Sequence, residues 1–250
     1  MRLELALAIA LVLPGAASAD LVDDLRNGVI TECRGCDLRE ANFKKADLAG
    51  VDLTGANLTD ATFHRANLRG ATLVDVEAIG TNFNLADLTQ AQMANGDFMR
   101  AMFYGAQMSG ADLSDVNLTE ARLQTARLTS AKLPGAVLDR ALMREVVANN
   151  ADFSHTSIEQ TNLNGARLGR NRFDGATISY AGFIEAKAGG ASFVDAQISL
   201  SDFYGADLRR ASVAGATLTG NRFTRAATRE VDFDAATMTG NFMSNGRRQD

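Results

Sequence analysis

The sequence predicts an all-β solenoid, a rod of about ten square coils behind a short N-terminal helical cap. Three observations predict it. From Leu38 to Met243 every fifth residue is apolar or small and the register never slips, which makes 42 five-residue units. The residue two places before each of these is Ala in 28 of the 41 units from Ala41 to Asn241. Residues twenty apart resemble one another, as if stacked. A period of five fits neither the helical period of about 3.6 nor the strand period of about 2.0. Self-similarity at a fixed period is the mark of a solenoid.

We label each unit i−2 to i+2, with the apolar residue at i. Only Ala78, Ala148, Ala188 and Thr228 depart from a large apolar residue at i, and twelve of the thirteen Phe sit there. Large residues at i fill an interior, and small residues at i−2 fit where walls approach closely. The i−1 position, mostly Asn, Asp, Thr or Arg, faces outward. Four units per coil sort the aromatics. One face reads Phe43, Phe63, Phe83, Phe103, Leu123, Met143, Leu163, Phe183, Phe203, Phe223, Met243. A second carries Ile158, Ile178 and Ile198, and a third Phe153, Phe173 and Phe193. A pure five-residue pattern would not separate them.

The N-terminus differs. Arg2, an apolar run from Leu5 to Leu13, and Ala17-Ser18-Ala19 have the order of a secretory signal peptide, with cleavage between Ala19 and Asp20. The run is too short to span a bilayer, and the expected location is the periplasm or the medium. Residues 20–36 are the expected cap. Leu21, Val22, Leu25 and Val29 form the apolar side of a short helix that Gly28 ends. An open solenoid end needs such cover. Residues 37–250 are the β-helix. Three readings compete for Cys33 and Cys36, the only cysteines. A disulfide stapling the cap to the first coil suits an oxidising compartment. A redox-active pair needs a helix N-terminus, and a metal site needs more ligands.

Stretches such as Ala41-Asn42-Phe43, Ala56-Asn57-Leu58 and Ala111-Asp112-Leu113 resemble the pentapeptide repeat family. The resemblance covers nearly the whole chain after residue 36 and implies a right-handed quadrilateral β-helix. Cys33-Arg34-Gly35-Cys36-Asp37-Leu38 is similar to the start of the repeat in secreted members. The family hosts many roles, so fold alone supplies no function. One of those roles, mimicry of DNA to bind gyrase in quinolone resistance, is the alternative reading here.

Residues 20–120 hold 8 basic and 16 acidic side chains, and residues 121–250 hold 16 and 13. That is no nucleic-acid footprint, and a DNA mimic needs denser negative charge. Arg127, Arg167 and Lys187 share one outward column, interrupted by Val147. Tyr104 and Tyr204 share another with His64, too far apart for a catalytic pair. The three cations and the two tyrosines are candidate contacts for a protein of the cell envelope. Phe242, at an outward i−1 site, is a candidate contact at the C-terminal end, as a lid or through a homodimer of the last coil. Stacked Asn221 and Asn241 face inward and need partners, expected to be carbonyls of the last turns. No catalytic motif, cofactor loop or metal-ligand spacing is present in the sequence. The expectation is a non-enzymatic interaction module.

Overall fold

The computed structural model describes residues 19–249. The expected signal segment therefore lies, apart from Ala19, outside the described residues. Helix α1, Ala19–Arg26, buries Leu25 and rests Leu21 and Val22 on the first coil. Its end is a Schellman turn. Gly28 takes φ +69°, its N–H donates to the Leu25 carbonyl, and the Val29 N–H donates to the Asp24 carbonyl. The turn carries the chain off the helix axis, so Val29 is 69% exposed rather than on the apolar side expected for it. No helix among the described residues is long and apolar enough to cross a membrane.

From Glu32 onward the chain winds with a register of twenty residues. Parallel bridges link each i−1 residue to its equivalent one coil on, from Glu32↔Asp52 to Arg222↔Phe242, which makes about ten coils. The backbone donors of one unit show why five residues suffice. The N–H of Phe43 donates to the carbonyl of Thr62 in the next coil, and that of Lys45 to His64. Thr62 donates back to Ala41, and the Ala46 N–H closes the corner on Phe43. Four of five amides are satisfied by backbone. The corner requires a left-handed i+2 residue, and among the described residues 26 non-glycine residues adopt it, every one at a number divisible by five.

The interior is solid. Phe43, Phe63, Phe83 and Phe103 stack with centroid spacings of 5.0, 5.1 and 5.1 Å. That interval is set by the coil-to-coil spacing of about 4.8 Å. Phe153, Phe173 and Phe193 form a second stack. Phe173 and Phe183 meet edge-on across the bore at 6.2 Å and 82°. Where rings from two faces meet there, the next face takes the small Ala188. Gly96 replaces the usual Ala because a Cβ there would lie 2.5 Å from the Phe98 ring.

One corner changes character at residue 157. Strands β1 Ser157–Glu159, β2 Thr177–Ser179, β3 Gln197–Ser199, β4 Thr217–Thr219 and β5 Thr237–Thr239 form a continuous parallel sheet in register. Its central residues are Ile158, Ile178, Ile198, Leu218 and Met238, and β-branched side chains suit the pleat. Here the i−2 amide no longer closes the corner on the preceding carbonyl. The amides of Ala181, Ser201 and Asn221 donate instead to the side chains of Ser201, Asn221 and Asn241, one coil on. Asn221 Nδ2 donates to the Ile198 carbonyl and Asn241 Nδ2 to Leu218, as their burial demanded.

The C-terminal end is partly covered, by a turn and a hairpin where the sequence offered only Phe242 as a lid or a dimer contact. A 3-10 turn, Phe233–Ala235, is capped by Asp232. Strand β6, Asn241–Phe242, pairs antiparallel with β7, Arg248–Gln249, so the chain folds back beside the last coil. Val231, Phe233, Met238 and Met243 stay half-buried beneath this cover.

Candidate functional site

The outward surface is built by i−1, i+1 and i+2. In the ordinary unit, outside the strand corner, the amide that the backbone leaves unpaired is that of i+1. An Asp or Asn at i−1 accepts from it two residues on, as Asn57 does from Thr59 at 3.0 Å and Asp112 from Ser114 at 3.1 Å. Where i−1 is something else, a side chain one coil earlier can serve. Asn84 accepts from Tyr104, Asn164 from Ile184 and Asp174 from Val194. The Asp and Asn of the repeat are therefore corner caps first and surface groups second.

Several carboxyls in this role are also tied to arginine. Hydrogen bonds from Arg39 hold the Asp37 carboxyl below its ordinary value, and those from Arg209 do the same at Asp207. At Asp52 and Asp87 partial burial pushes upward. It is outweighed by hydrogen bonds from Thr54 and Arg34, and from Thr89 and Arg69, so both also titrate low. These groups stay ionised and bound to neighbours, which suits a structural role and not proton transfer.

Arg127, Val147, Arg167 and Lys187 are successive bridge partners, so the expected column exists. All three cations are exposed, and none forms an ion pair among the described residues. Tyr104 and Tyr204 are not brought together, being five coils apart. Tyr104 is 53% exposed beside a shallow depression lined by Asn84, Met102, Arg122 and Gln124. Tyr204 is half-buried, with the guanidinium carbons of Arg222 and Arg225 at 5.0 and 5.6 Å from its ring centroid. Arg222 is also bound to Asp202, so this tyrosine is already engaged. Phe242 is 45% exposed, and its backbone is held between Arg222 and Arg248. The sulfurs of Cys33 and Cys36 lie 1.97 Å apart with Cα atoms at 5.4 Å, where the cap meets the first coil.

The i−1 columns do not include the corners at i+1 and i+2. There Arg209 and Arg210 stand together above Gly189 and Gly190, and the Arg-Arg and Gly-Gly doublets twenty residues apart were the available signal. Among the described residues no three His, Cys, Asp or Glu are grouped to hold a metal ion.

Comparison with known proteins gives a consistent set of likenesses. The family model described as pentapeptide repeats matches in eight copies, over residues 34–75, 81–119, 121–160, 151–193, 179–213 and 201–240. The pentapeptide repeat protein HetL of the cyanobacterium Nostoc sp. strain PCC 7120, involved in heterocyst differentiation regulation, is 25% identical. It superposes with a TM-score of 0.73 over 94% of this chain and 100% of its own. A pentapeptide repeat protein of the Arabidopsis thaliana thylakoid lumen is 25% identical over 39% of this chain and 68% of its own, with a TM-score of 0.39. Full-length QnrB1, a plasmid-mediated fluoroquinolone resistance protein, is 17% identical over 86% and 92%, with a TM-score of 0.40. No curated protein sequence matches.

Proposed function

The chain belongs to the pentapeptide repeat family, and from that premise we propose a non-enzymatic interaction rod of the bacterial cell envelope that presents rigid faces to a protein partner. The observation that carries this reading is the filled bore. Phe and Leu side chains from all four faces occupy the interior, and the outward Asp and Asn are spent on capping corners. Among the groups left for recognition are the exposed cationic column of Arg127, Arg167 and Lys187 and the exposed ring of Tyr104. Aromatic and arginine side chains are the usual anchors of protein interfaces.

Export completes the proposal. A signal peptide cleaved between Ala19 and Asp20 would deliver the chain to an oxidising compartment, where the Cys33–Cys36 pair closes as a disulfide and fixes the cap. A homodimer through the C-terminal coil, with Phe242 at its centre, is a further expectation. It is checked by the mass in solution of the native chain and of Phe242→Ala.

The decisive experiment is the intact mass of the natively expressed, fractionated protein, with and without reduction before alkylation. The expected result is recovery from the periplasm, a mass starting at Asp20, and thiols that label only after reduction. A photo-crosslinker at Arg127 or Tyr104 should then yield one discrete envelope adduct, weakened by charge reversal at Arg167 and Lys187. A cytoplasmic chain starting at Met1 with free thiols would overturn the reading. Inhibition of gyrase supercoiling would then be the next assay.

A further inference from the structure

We infer that the corner bounded by Arg170, Gly189, Gly190, Arg209, Arg210 and Arg229 is a binding site for a phosphate-bearing group, distinct from the protein-contact column proposed above. Successive corner pairs stack here as Gly169-Arg170, Gly189-Gly190, Arg209-Arg210 and Arg229-Glu230. Neither glycine of the second pair carries a side chain, so the rod surface is indented by about 340 Å³ between arginines below and above. Arg170 reaches up past Gly190, its Cγ 3.6 Å from where a Cβ at that residue would stand. Arg210 lies one coil on the other side, so the two flank the notch about 10 Å apart at the backbone.

Charge and donors both favour an anion. Asp207 lines the floor, but its two oxygens are taken by Arg209 Nε and Nη2 at 2.8 and 2.6 Å. Glu230 is shared by Arg210 and Arg229, each at 3.2 Å. Four guanidinium groups thus face two carboxylates, with Lys187 and Arg167 in the adjoining column. Arg170 has no ion pair and no side-chain hydrogen bond among the described residues. The neighbouring corner amides are capped, Gly169 by Asn149 and Arg209 by Asp207. The Gly189 N–H, with Lys187 at its i−1 and Gly169 one coil before, has no acceptor among the described residues. A free amide beside a free guanidinium matches the several acceptor oxygens of a phosphate. The notch is many times the volume of one water, about 30 Å³. It accommodates a diphosphate or a phosphate with part of its ester.

The test uses the full mature chain and inorganic pyrophosphate, titrated calorimetrically at low ionic strength. The wild type should bind with an affinity that falls as salt rises. Arg170→Gln/Arg210→Gln removes the flanking cations. Gly189→Glu fills the notch, and its Cβ would sit 3.7 Å from the Arg209 carbonyl, an ordinary contact. Both should bind about tenfold more weakly or worse, with melting temperatures near wild type, whereas Arg100→Gln, at another corner, should bind normally. Flotation with phosphatidylglycerol vesicles, against phosphatidylcholine alone, separates the two sources of phosphate. Co-flotation lost in the same variants assigns a lipid head group, and pyrophosphate binding without flotation assigns a soluble phosphate ester. Absence of pyrophosphate binding by the wild type, or equal binding by the folded variants, overturns the site.

Discussion

Thr125 sits at φ +60° with a β-branched side chain, a conformation that costs an ordinary L residue about 1–2 kcal/mol. Thr125→Gly should therefore raise stability by about 1 kcal/mol despite deleting a side chain, measured as a shift in urea midpoint. A lower midpoint would mean that the threonine side chain contributes more than its strain costs. The outward position of Asn57 suggests that Asn57→Asp is silent, but the structure says otherwise. Asn57 Nδ2 donates to Glu77 Oε2 at 2.8 Å, and the substitution turns that bond into two facing carboxylates. The variant should lose up to about 1 kcal/mol at pH 7. The gap from wild type should narrow toward pH 4, as protonation relieves the repulsion. Parallel melting curves of the two proteins across that range check it. That Asn57 faces outward is legible in the repeat, but its partner twenty residues on is a matter of side-chain reach.

The coil is the element, and its two kinds of corner respond differently to substitution. Asn221 accepts from the Ser201 amide and donates to the Ile198 carbonyl and to Asn241. Asn221→Ala should cost about 1–3 kcal/mol, because buried amides and carbonyls lose their partners. Asn171 occupies the same i−2 position on another face and accepts from the Ala151 amide, but its Nδ2 has no partner. The Ala151 amide keeps its backbone bond to Ala148. Asn171→Ala should thus be neutral or stabilising, and chemical denaturation of the pair side by side separates the cases. Phe103→Asp, which places a charge within the first Phe stack, should abolish cooperative unfolding or lower the melting temperature severely. Five-residue spacing announces every corner. Which corners exchange a turn bond for an asparagine ladder depends on contacts across a coil. The run of Ile158, Ile178 and Ile198 and the stacked Asn221 and Asn241 marked the place, but not that the amides of Ala181, Ser201 and Asn221 would donate to side chains one coil on.

At the scale of the whole rod, stability is a sum of coil-on-coil interfaces with a common acid response. Asp37, Asp52, Asp87 and Asp207 titrate below their ordinary value in the fold. Carboxyls lowered in this way stabilise the protein above the unfolded value of about 3.9, and the contribution is lost as pH falls through the folded values. Melting temperature should be nearly level from pH 7 to about 5 and fall below about 4. A rise on acidification would contradict the assignment. The repeat by itself determined the all-β solenoid, its twenty-residue coil, the identity of the inner residues and the stacking of aromatics. It could do so because the five-residue spacing and the likeness of residues twenty apart together place each large residue inside a repeating coil, beside its equivalent in the next. The tertiary structure alone decided the hairpin that covers the C-terminal end and the outward turn of Val29. It also decided the engagement of Tyr204 by two arginines and the gathering of Arg170, Arg209, Arg210 and Arg229 around two glycines. Those depend on long, flexible side chains and on chain ends, where the periodic backbone no longer dictates what lies beside what.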